Sequence, residues 1–358
     1  MKILDWYILK RYLITFFMML LLFIPIGITV DLAEKIGKML KYDAPLDRIL
    51  EYYLDFTVHF AYILFPLFLF LSVIWFTSKL ANNTEIVAFL SSGVSFYRFL
   101  RPYIIGATFV GLLSLLLGMY LAPMASKGFN KFKYEYLSRG KVIVETNNVH
   151  KQISENDFIY VSRIDISGNY GKNFTWEHIE NNEIKYKILA DEIRFNPKDS
   201  TYKLKTYRKR TFLKDKEILE IKREIDTTFS FTIDDLTPTT YAAETKPYSE
   251  LVKFIEKEKL SGSSNIGRYE VVKLKKWSLP VSIFILTIIA VAVSSVKRRG
   301  GMGLNLAIGI SIALLYVFFD KVFGVLAAQA NFSPLIAVWL PNVIFGILAL
   351  YLLQHAKR

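Results

Sequence analysis

The sequence predicts an α-helical membrane protein with an inserted all-β domain: six transmembrane helices, three before the insertion and three after it. Three observations predict this. Of 358 residues, 53% are hydrophobic and 22% charged, too apolar for a typical soluble domain. Charge is segregated, since residues 127–276 hold 29 of the 45 basic and 23 of the 32 acidic residues, leaving 16 and 9 for the other 208. Finally, the flanks contain uncharged apolar runs long enough to cross a hydrocarbon core of about 30 Å, which takes roughly 20 helical residues.

Taken in order, the runs are Tyr12 to Val30, Phe56 to Ser78 and Pro102 to Ser126, then Trp277 to Val296 and Gly300 to Phe319. A last run, Val322 to Gln354, is too long for one helix. Asn331, Ser333 and Pro334 break it, so its first part completes the fifth span and its second part is the sixth. The first run is a span rather than a cleaved leader: it is long, lacks a small-residue cleavage site and is followed by Asp31, Glu34 and Lys35. The expected divisions are 1–126 with the first three spans, 127–265 for the β-domain and 266–358 with the last three.

Basic residues in short loops set orientation. An even number of spans puts both termini on one side. That side receives Lys2, Lys10, Arg11, Lys79, Arg98, Arg101, Lys297, Arg298, Arg299, Lys357 and Arg358. On the other side, Lys35, Lys38, Lys41 and Arg48 are offset by Asp31, Glu34, Asp43, Asp47 and Glu51. The termini are therefore expected in the cytoplasm and the β-domain outside, in the periplasm of a Gram-negative cell.

Within the insertion, Phe158 to Ile166 alternates, with Phe158, Tyr160 and Ser162 on one face. Similar runs are Ile184 to Leu189, Tyr202 to Tyr207, Glu217 to Lys222 and Thr227 to Ile233, separated by Gly168 and Gly171, by Asn196 to Ser200 and by charged turns. Such spacing predicts antiparallel strands in a small sandwich or jelly roll. Tyr248 to Leu260 reads as an amphipathic helix with Ser249 as N-cap and Gly262 beyond its end. Arg268 to Lys276 runs into the fourth span as one helix.

With no cysteine, disulfides, zinc fingers and cysteine nucleophiles are excluded. His59, His150, His178 and His355 are too scattered for a metal site. No GxGxxG, phosphate-binding loop or HExxH occurs; Gly300, Gly301 and Gly303 follow basic residues and join no strand to a helix. No cofactor is expected in this chain, and no nucleic-acid partner.

Three features can carry function. Asn82 to Gly93 reads as a short helix between spans two and three. Thr84 is its cap, Glu85 sits in its first turn, Ile86, Val87, Phe89 and Leu90 are apolar, and Gly93 is its stop. A helix lying on anionic lipid carries Lys or Arg on its polar face. This one carries Asn82, Asn83 and Glu85, which suits a protein groove better. Asp320 and Lys321 are charges in the outer third of the fifth span, where each costs about 2.5–3.5 kcal/mol unless it faces a bundle interior or a cavity. The third feature is a set of lysines at one depth on the outer side: Lys35, Lys38 and Lys41, then Lys127, Lys131 and Lys133, then Lys273, Lys275 and Lys276. Plain interfacial anchoring accounts for such residues, and so does a ring of cations holding an anionic headgroup.

Several local patterns resemble the lipopolysaccharide export permease family LptF/LptG (YjgP/YjgQ). They are Leu4-Asp5-Trp6-Tyr7-Ile8, Asn83-Thr84-Glu85-Ile86-Val87 through Ser92-Gly93, Leu121-Ala122-Pro123, Asn156-Asp157-Phe158-Ile159-Tyr160-Val161, Gly267-Arg268-Tyr269, and Tyr316 through Gly324. Their order covers nearly the whole chain. Leu4-Asp5, Val30-Asp31 and Phe319-Asp320 favour the LptG-like branch. The resemblance implies a permease subunit without its own nucleotide site. It would extract lipopolysaccharide from the inner membrane beside a second such permease and pass it to a periplasmic bridge protein. A cytoplasmic ABC ATPase dimer would bind ATP and Mg and drive the cycle. By resemblance, Glu85 meets the ATPase, Lys35 faces lipid phosphate, Lys133 and Lys131 are the basic residues beyond the third span, and Asp320 is the span-five acid. Glu34 stands where such a protein can carry a second lysine. The lipid-binding set expected here is Lys35, Lys38, Lys41, Lys131, Lys133, Asp320 and Lys321. The alternatives are a force-transmitting subunit whose outer domain grips a protein, and a membrane enzyme acting on lipid, for which only Asp31, Glu34, Asp43 and Asp320 are placed.

Overall fold

The structure is a computed structural model describing residues 3–137, 147–165, 170–196, 199, 201–213, 216–229, 231, 241–263, 265–298, 300–329 and 332–356. Lys2, Ile166, Gly168, Ser200, Thr232, Ile233, Arg299, Asn331, Lys357 and Arg358, used above, lie outside these residues. In chain order the helices are α1 (Ile3–Lys41), α2 (Leu46–Asn82), α3 (Glu85–Ser91), α4 (Phe96–Leu116), α5 (Ala122–Phe132), α6 (Tyr248–Leu260), α7 (Ile266–Ser294), α8 (Gly301–Gln329) and α9 (Pro334–His355). Two units result. One comprises Met1–Leu137, Glu244–Leu251 and Gly267–Arg358; the other comprises Ser138–Ala243 and Val252–Ile266.

The first unit contains six helical segments long and apolar enough to cross a membrane. The third, Phe96–Leu137, is α4 and α5 joined by a π-turn at Leu117–Leu121 and continued by another at Lys133–Leu137. Each segment outruns its uncharged stretch, because a helix closes its own hydrogen bonds and need not stop where the apolar run does. Lipid gives helices little hydrophobic reason to associate, so close packing and interhelical hydrogen bonds matter more. Both are present. Tyr12 and Tyr103 are fully buried and stacked at 5.2 Å; the Tyr12 hydroxyl donates to the Tyr103 carbonyl at 3.1 Å, and Thr77 donates to the Tyr103 hydroxyl at 2.9 Å. α1, α2 and α4 meet there. Gly106 makes room, since a Cβ on it would lie 1.5 Å from the Tyr12 oxygen. A second polar tie joins the last three spans: Tyr316 donates to Asn342 at 3.0 Å, and Asn342 donates to the Ser278 carbonyl at 3.4 Å.

The second unit is a six-stranded antiparallel sheet in the order β1-β2-β3-β4-β5-β6: Asn147–Gln152, Asp157–Asp165, Tyr170–Glu180, Glu183–Asn196, Thr201–Leu213 and Lys216–Thr227. This is a meander; the crossed connection of a jelly roll is not among the described strands. The sheet nevertheless encloses a core, because it bends. Buried residues recur at i and i+3 along one line across four strands: Val161 and Ile164, Gly171 and Phe174, Ala190 and Ile193, Leu204 and Tyr207. A flat strand buries every second residue. Here two consecutive residues on each strand turn outward. Asn173 and Thr206 on this line have φ of 50° and 56°, the local reversal that such a corner requires. Expected alternation on β2 holds up to the corner, with Ile159 and Val161 buried on the face opposite Phe158 and Tyr160. Of the run 227–233 expected as a strand, 230, 232 and 233 lie outside the described residues; β6 ends at Thr227, while Phe229 and Phe231 stack on each other in the core and Tyr202 donates to the Phe231 carbonyl at 2.8 Å. The end of β1 is held to the end of α6 by a buried Lys151–Glu258 pair at 2.8 Å and by the Gln152 backbone amide donating to the Ser261 carbonyl. α6 begins at Tyr248, which puts Ser249 inside its first turn rather than at its cap.

One end of the sheet is clamped by His178. Its Nδ1 lies 2.7 Å from Asp157 and its Nε2 3.1 Å from Glu180, while its ring stacks on Tyr186. Asp157 also accepts from Trp176 at 2.8 Å and Ser154 at 2.6 Å. Hydrogen bonds to Asp157 and then Glu180 raise the imidazole above its ordinary value near 6.5. Burial pushes the Asp157 carboxyl up, but hydrogen bonds from Ser154, His178 and Trp176 outweigh it and hold the group low.

Two outcomes are expected. Gly106→Ala should displace the Tyr12 hydroxyl and lower the unfolding midpoint in detergent by an amount matching about 1–3 kcal/mol of overpacking, with Tyr12→Phe recovering part of the loss. The His178 contribution is fully present below about pH 6.5 and lost as pH rises through the raised folded value. Amide exchange of residues 176–183 in the full chain, corrected for intrinsic rate, should therefore be slower at pH 6 than at pH 8, and His178→Gln should abolish the difference.

Candidate functional site

Successive spans reverse direction, so the α1–α2 turn, the end of the third span at Leu137 and the start of α7 share one end of the membrane unit. This is the end from which the chain enters and leaves the β-unit, here called the insertion end. The loop bearing α3 lies at the opposite end.

α3 is seven residues long, Glu85–Ser91. α2 stops at Asn82, and Thr84 turns the chain with a φ of 61°. Thr84 occupies the cap position but does not cap. In this left-handed conformation its hydroxyl donates back to the Asn83 carbonyl at 2.6 Å. Gly93, with φ of 82°, follows the helix as expected. Glu85 accepts from the Asn83 amide at 3.0 Å. The four apolar residues divide into two pairs. Ile86 is buried and Phe89 half-buried, its ring 5.8 Å from Phe99, so these hold α3 on the bundle. Val87 and Leu90 are 60% and 37% exposed, so the outward surface of α3 is apolar with Glu85 at its start. Nearby, Arg98 of α4 pairs with buried Asp5 of α1 at 2.8 Å, and its amide donates to the Ser95 side chain that caps α4. Leu4-Asp5 served above only as a motif and Arg98 only as an orientation marker; the ion pair joining them, 93 residues apart, is what sequence reading missed.

At the insertion end, the expected lysines fall into three kinds. Lys35 is held: it pairs with Asp31 one turn earlier, and its ammonium donates to the Tyr52 hydroxyl at 3.1 Å. Tyr52 donates in turn to Asp31 at 3.0 Å, with Tyr53 at 3.5 Å. Tyr52 is buried against Phe129 and Phe132 of α5, at 5.2 and 4.5 Å between ring centres. Lys275 is held likewise by Asp320, at 2.7 Å across α7 and α8. Asp320 therefore pairs across helices rather than with its neighbour Lys321. Lys276 is buried, donating to the Gly118 carbonyl at 2.6 Å. Of the remaining members, Lys38, Lys41, Lys127, Lys131 and Lys133 are exposed and Lys273 is half-buried; Lys321 of α8 is exposed as well.

Glu244, in the 3-10 turn Ala242–Thr245, joins this picture without a sequence signal. Its carboxyl keeps solvent contact, yet enough protein surrounds it that desolvation pushes the group up. Arg268, Lys321, Lys275 and Lys133 pull it the other way. Cations from the third span, α7 and α8 thus act on one carboxylate. No motif predicts this, because the residues are drawn from separate segments, with Lys133 more than 100 positions before the rest. Lys35 belongs to a separate network among the described residues.

The chain matches the sequence model of the family described as lipopolysaccharide export system permease LptF/LptG over residues 6–355. It is 22% identical over 295 residues to the lipopolysaccharide export system permease protein LptG of Escherichia coli (strain K12), covering 82% of this chain and 81% of that protein. The same figures hold for the protein of that name from Escherichia coli O6:H1 (strain CFT073). Six membrane-crossing helices divided three and three by a β-domain, with a match that spans both halves and the insertion, make this chain a member of the LptF/LptG family of lipopolysaccharide export permeases.

Proposed function

We propose that this chain is one permease of an ABC-type exporter that takes lipopolysaccharide out of the inner membrane and passes it to a periplasmic bridge protein. In this reading the termini and α3 lie in the cytoplasm and the β-unit in the periplasm. A second LptF/LptG-like permease completes the lipid cavity. A cytoplasmic ATPase dimer holds ATP and Mg and engages Glu85, Val87 and Leu90, while Ile86 and Phe89 carry its motion into the bundle.

The observation that carries the reading is the pairing of an exposed cation set with exposed apolar helices. In the most apolar 18-residue window of α1 only 11% of residues are buried within the chain, and in that of α8 22%. Those faces need acyl chains or another permease. Beside their insertion ends stand Lys38, Lys41, Lys131, Lys133 and Lys321, free to meet phosphate. Lys35 and Lys275 start out neutralised by Asp31 and Asp320. A lipid phosphate, carrying more charge than one carboxylate, competes for them. Because a ligand shifts a conformational equilibrium only by its differential affinity, the aspartates supply the alternative partner when the cavity empties.

Purification of the tagged chain in mild detergent should yield an ATPase, a second six-span permease and lipopolysaccharide in one peak by mass spectrometry. An ATPase with a protein client and no glycolipid would replace export with force transmission. Within the complex, Lys35→Glu should reduce photocrosslinking to lipopolysaccharide; unchanged crosslinking removes Lys35 from the site. Glu85→Ala should lower lipid-stimulated ATP hydrolysis while Glu34→Ala leaves it near wild type.

A further inference from the structure

Among the described residues, Lys276 is the one cation of the insertion end that solvent barely reaches, at 5% exposure. A lysine near a membrane boundary ordinarily extends its ammonium to water. This one turns inward, and no carboxylate pairs with it among the described residues. Its partner is a backbone carbonyl, Gly118 at 2.6 Å, from a helix 158 positions away.

The Gly118 carbonyl is open for a reason visible in the chain. In an α-helix it would accept from Ala122. The Ala122 amide instead closes the π-turn by donating to Leu117. In the π register Gly118 would accept from residue 123, which is Pro123 and has no N–H. Neither register supplies a donor, and a buried carbonyl without one costs about as much as a lost hydrogen bond. The site is also close, since a Cβ at 118 would lie 2.6 Å from the Tyr62 hydroxyl and would have to displace that ring. A break with no internal donor leaves the angle between α4 and α5 to be set from outside.

We propose that Lys276 is a positioning residue: by closing the carbonyl that Pro123 orphans, it fixes the direction of α5 and through it the aromatic wall behind Lys35. The path is short. Just beyond the break α5 places Phe129 and Phe132 on the ring of Tyr52, and the hydroxyl of Tyr52 is the partner shared by Lys35 and Asp31. Span four thereby reaches a site on span one to which it contributes no side chain. Only the consequence for lipid rests on the export reading; the positioning does not.

The test uses the full chain in lipid nanodiscs. Lys276→Met keeps the aliphatic stem and removes the donor. Amides of residues 117–132 should exchange about tenfold faster, the size expected for loss of a hydrogen bond from a charged donor. Lys35 should become more reactive toward an amine-labelling reagent relative to Lys38. Pro123→Ala returns an N–H to the break, so Lys276→Met should have a much smaller effect on both readouts in that background. If Lys276→Met does not accumulate, recovery of a monodisperse peak by Pro123→Ala is the same rescue. Unchanged exchange in Lys276→Met overturns the proposal. So does an effect that Pro123→Ala fails to relieve, because Lys276 would then act somewhere other than Gly118. Rescue as expected in a chain that holds no lipopolysaccharide would leave the positioning intact and remove the export reading.

Discussion

A carbonyl inside a bilayer has no water to accept from, so each one that a helix leaves open must be closed by another part of the chain. Much of the membrane unit follows from meeting that demand. Pro123 opens the third span at Gly118, and Lys276 closes it from α7. Tyr12 gives its hydroxyl to the Tyr103 carbonyl, and Asn342 gives its amide to the Ser278 carbonyl, so each half of the bundle is tied by a donor that cannot find a better acceptor in lipid. These ties also fix how closely the helices approach, which is why Gly106 and Gly118 stand where a larger residue would meet a tyrosine. The same demand keeps the β-unit out of the hydrocarbon: an open six-stranded meander has edges, and edges need water or a partner.

Charge is arranged around this frame at its two ends. At the α3 end it is spent on anchoring, with Asp5 and Arg98 tying α1 to α4 beside a helix whose outward side is left to Val87 and Leu90. At the insertion end two lysines, Lys35 and Lys275, each begin with an aspartate, whereas Lys38, Lys41, Lys131, Lys133 and Lys321 face solvent. In the β-unit the charged groups do structural work instead: Lys151 with Glu258 holds helix to strand, and His178 with Asp157 and Glu180 closes one end of the sheet.

The spans, the inserted β-domain and the α3 helix were legible because each depends on a local property: length of an uncharged run, alternation along a strand, a glycine stop. Position and charge singled out Glu85, Lys35 and Asp320, and the family patterns assigned them roles. Errors came where local rules meet long-range geometry. Thr84 looks like a cap, but its left-handed backbone sends the hydroxyl elsewhere. Asp320 was placed only as a charge within a span, and its partner, Lys275 on the next helix, is 45 positions away. Nine lysines read as one ring, yet Lys276 points into the bundle. Strand alternation on β2 ends at a corner marked by the left-handed backbone of Asn173 on β3 and Thr206 on β5.

By itself, the sequence determined what the solvent around each segment must be, because hydrophobic run length, charge content and turn residues act over a few positions and need no partner. It also carried the break at Pro123, since a missing N–H is covalent. Tertiary structure alone decided which group answers each open valence: Lys276 for Gly118, Tyr52 for Lys35 and Asp31, Lys275 for Asp320, and Arg268, Lys275 and Lys321 around Glu244. Hydrogen bonds and ion pairs fall off over a few ångströms, and which residues come that close is set by helix packing across tens to more than a hundred positions, a distance that no local pattern in the chain encodes.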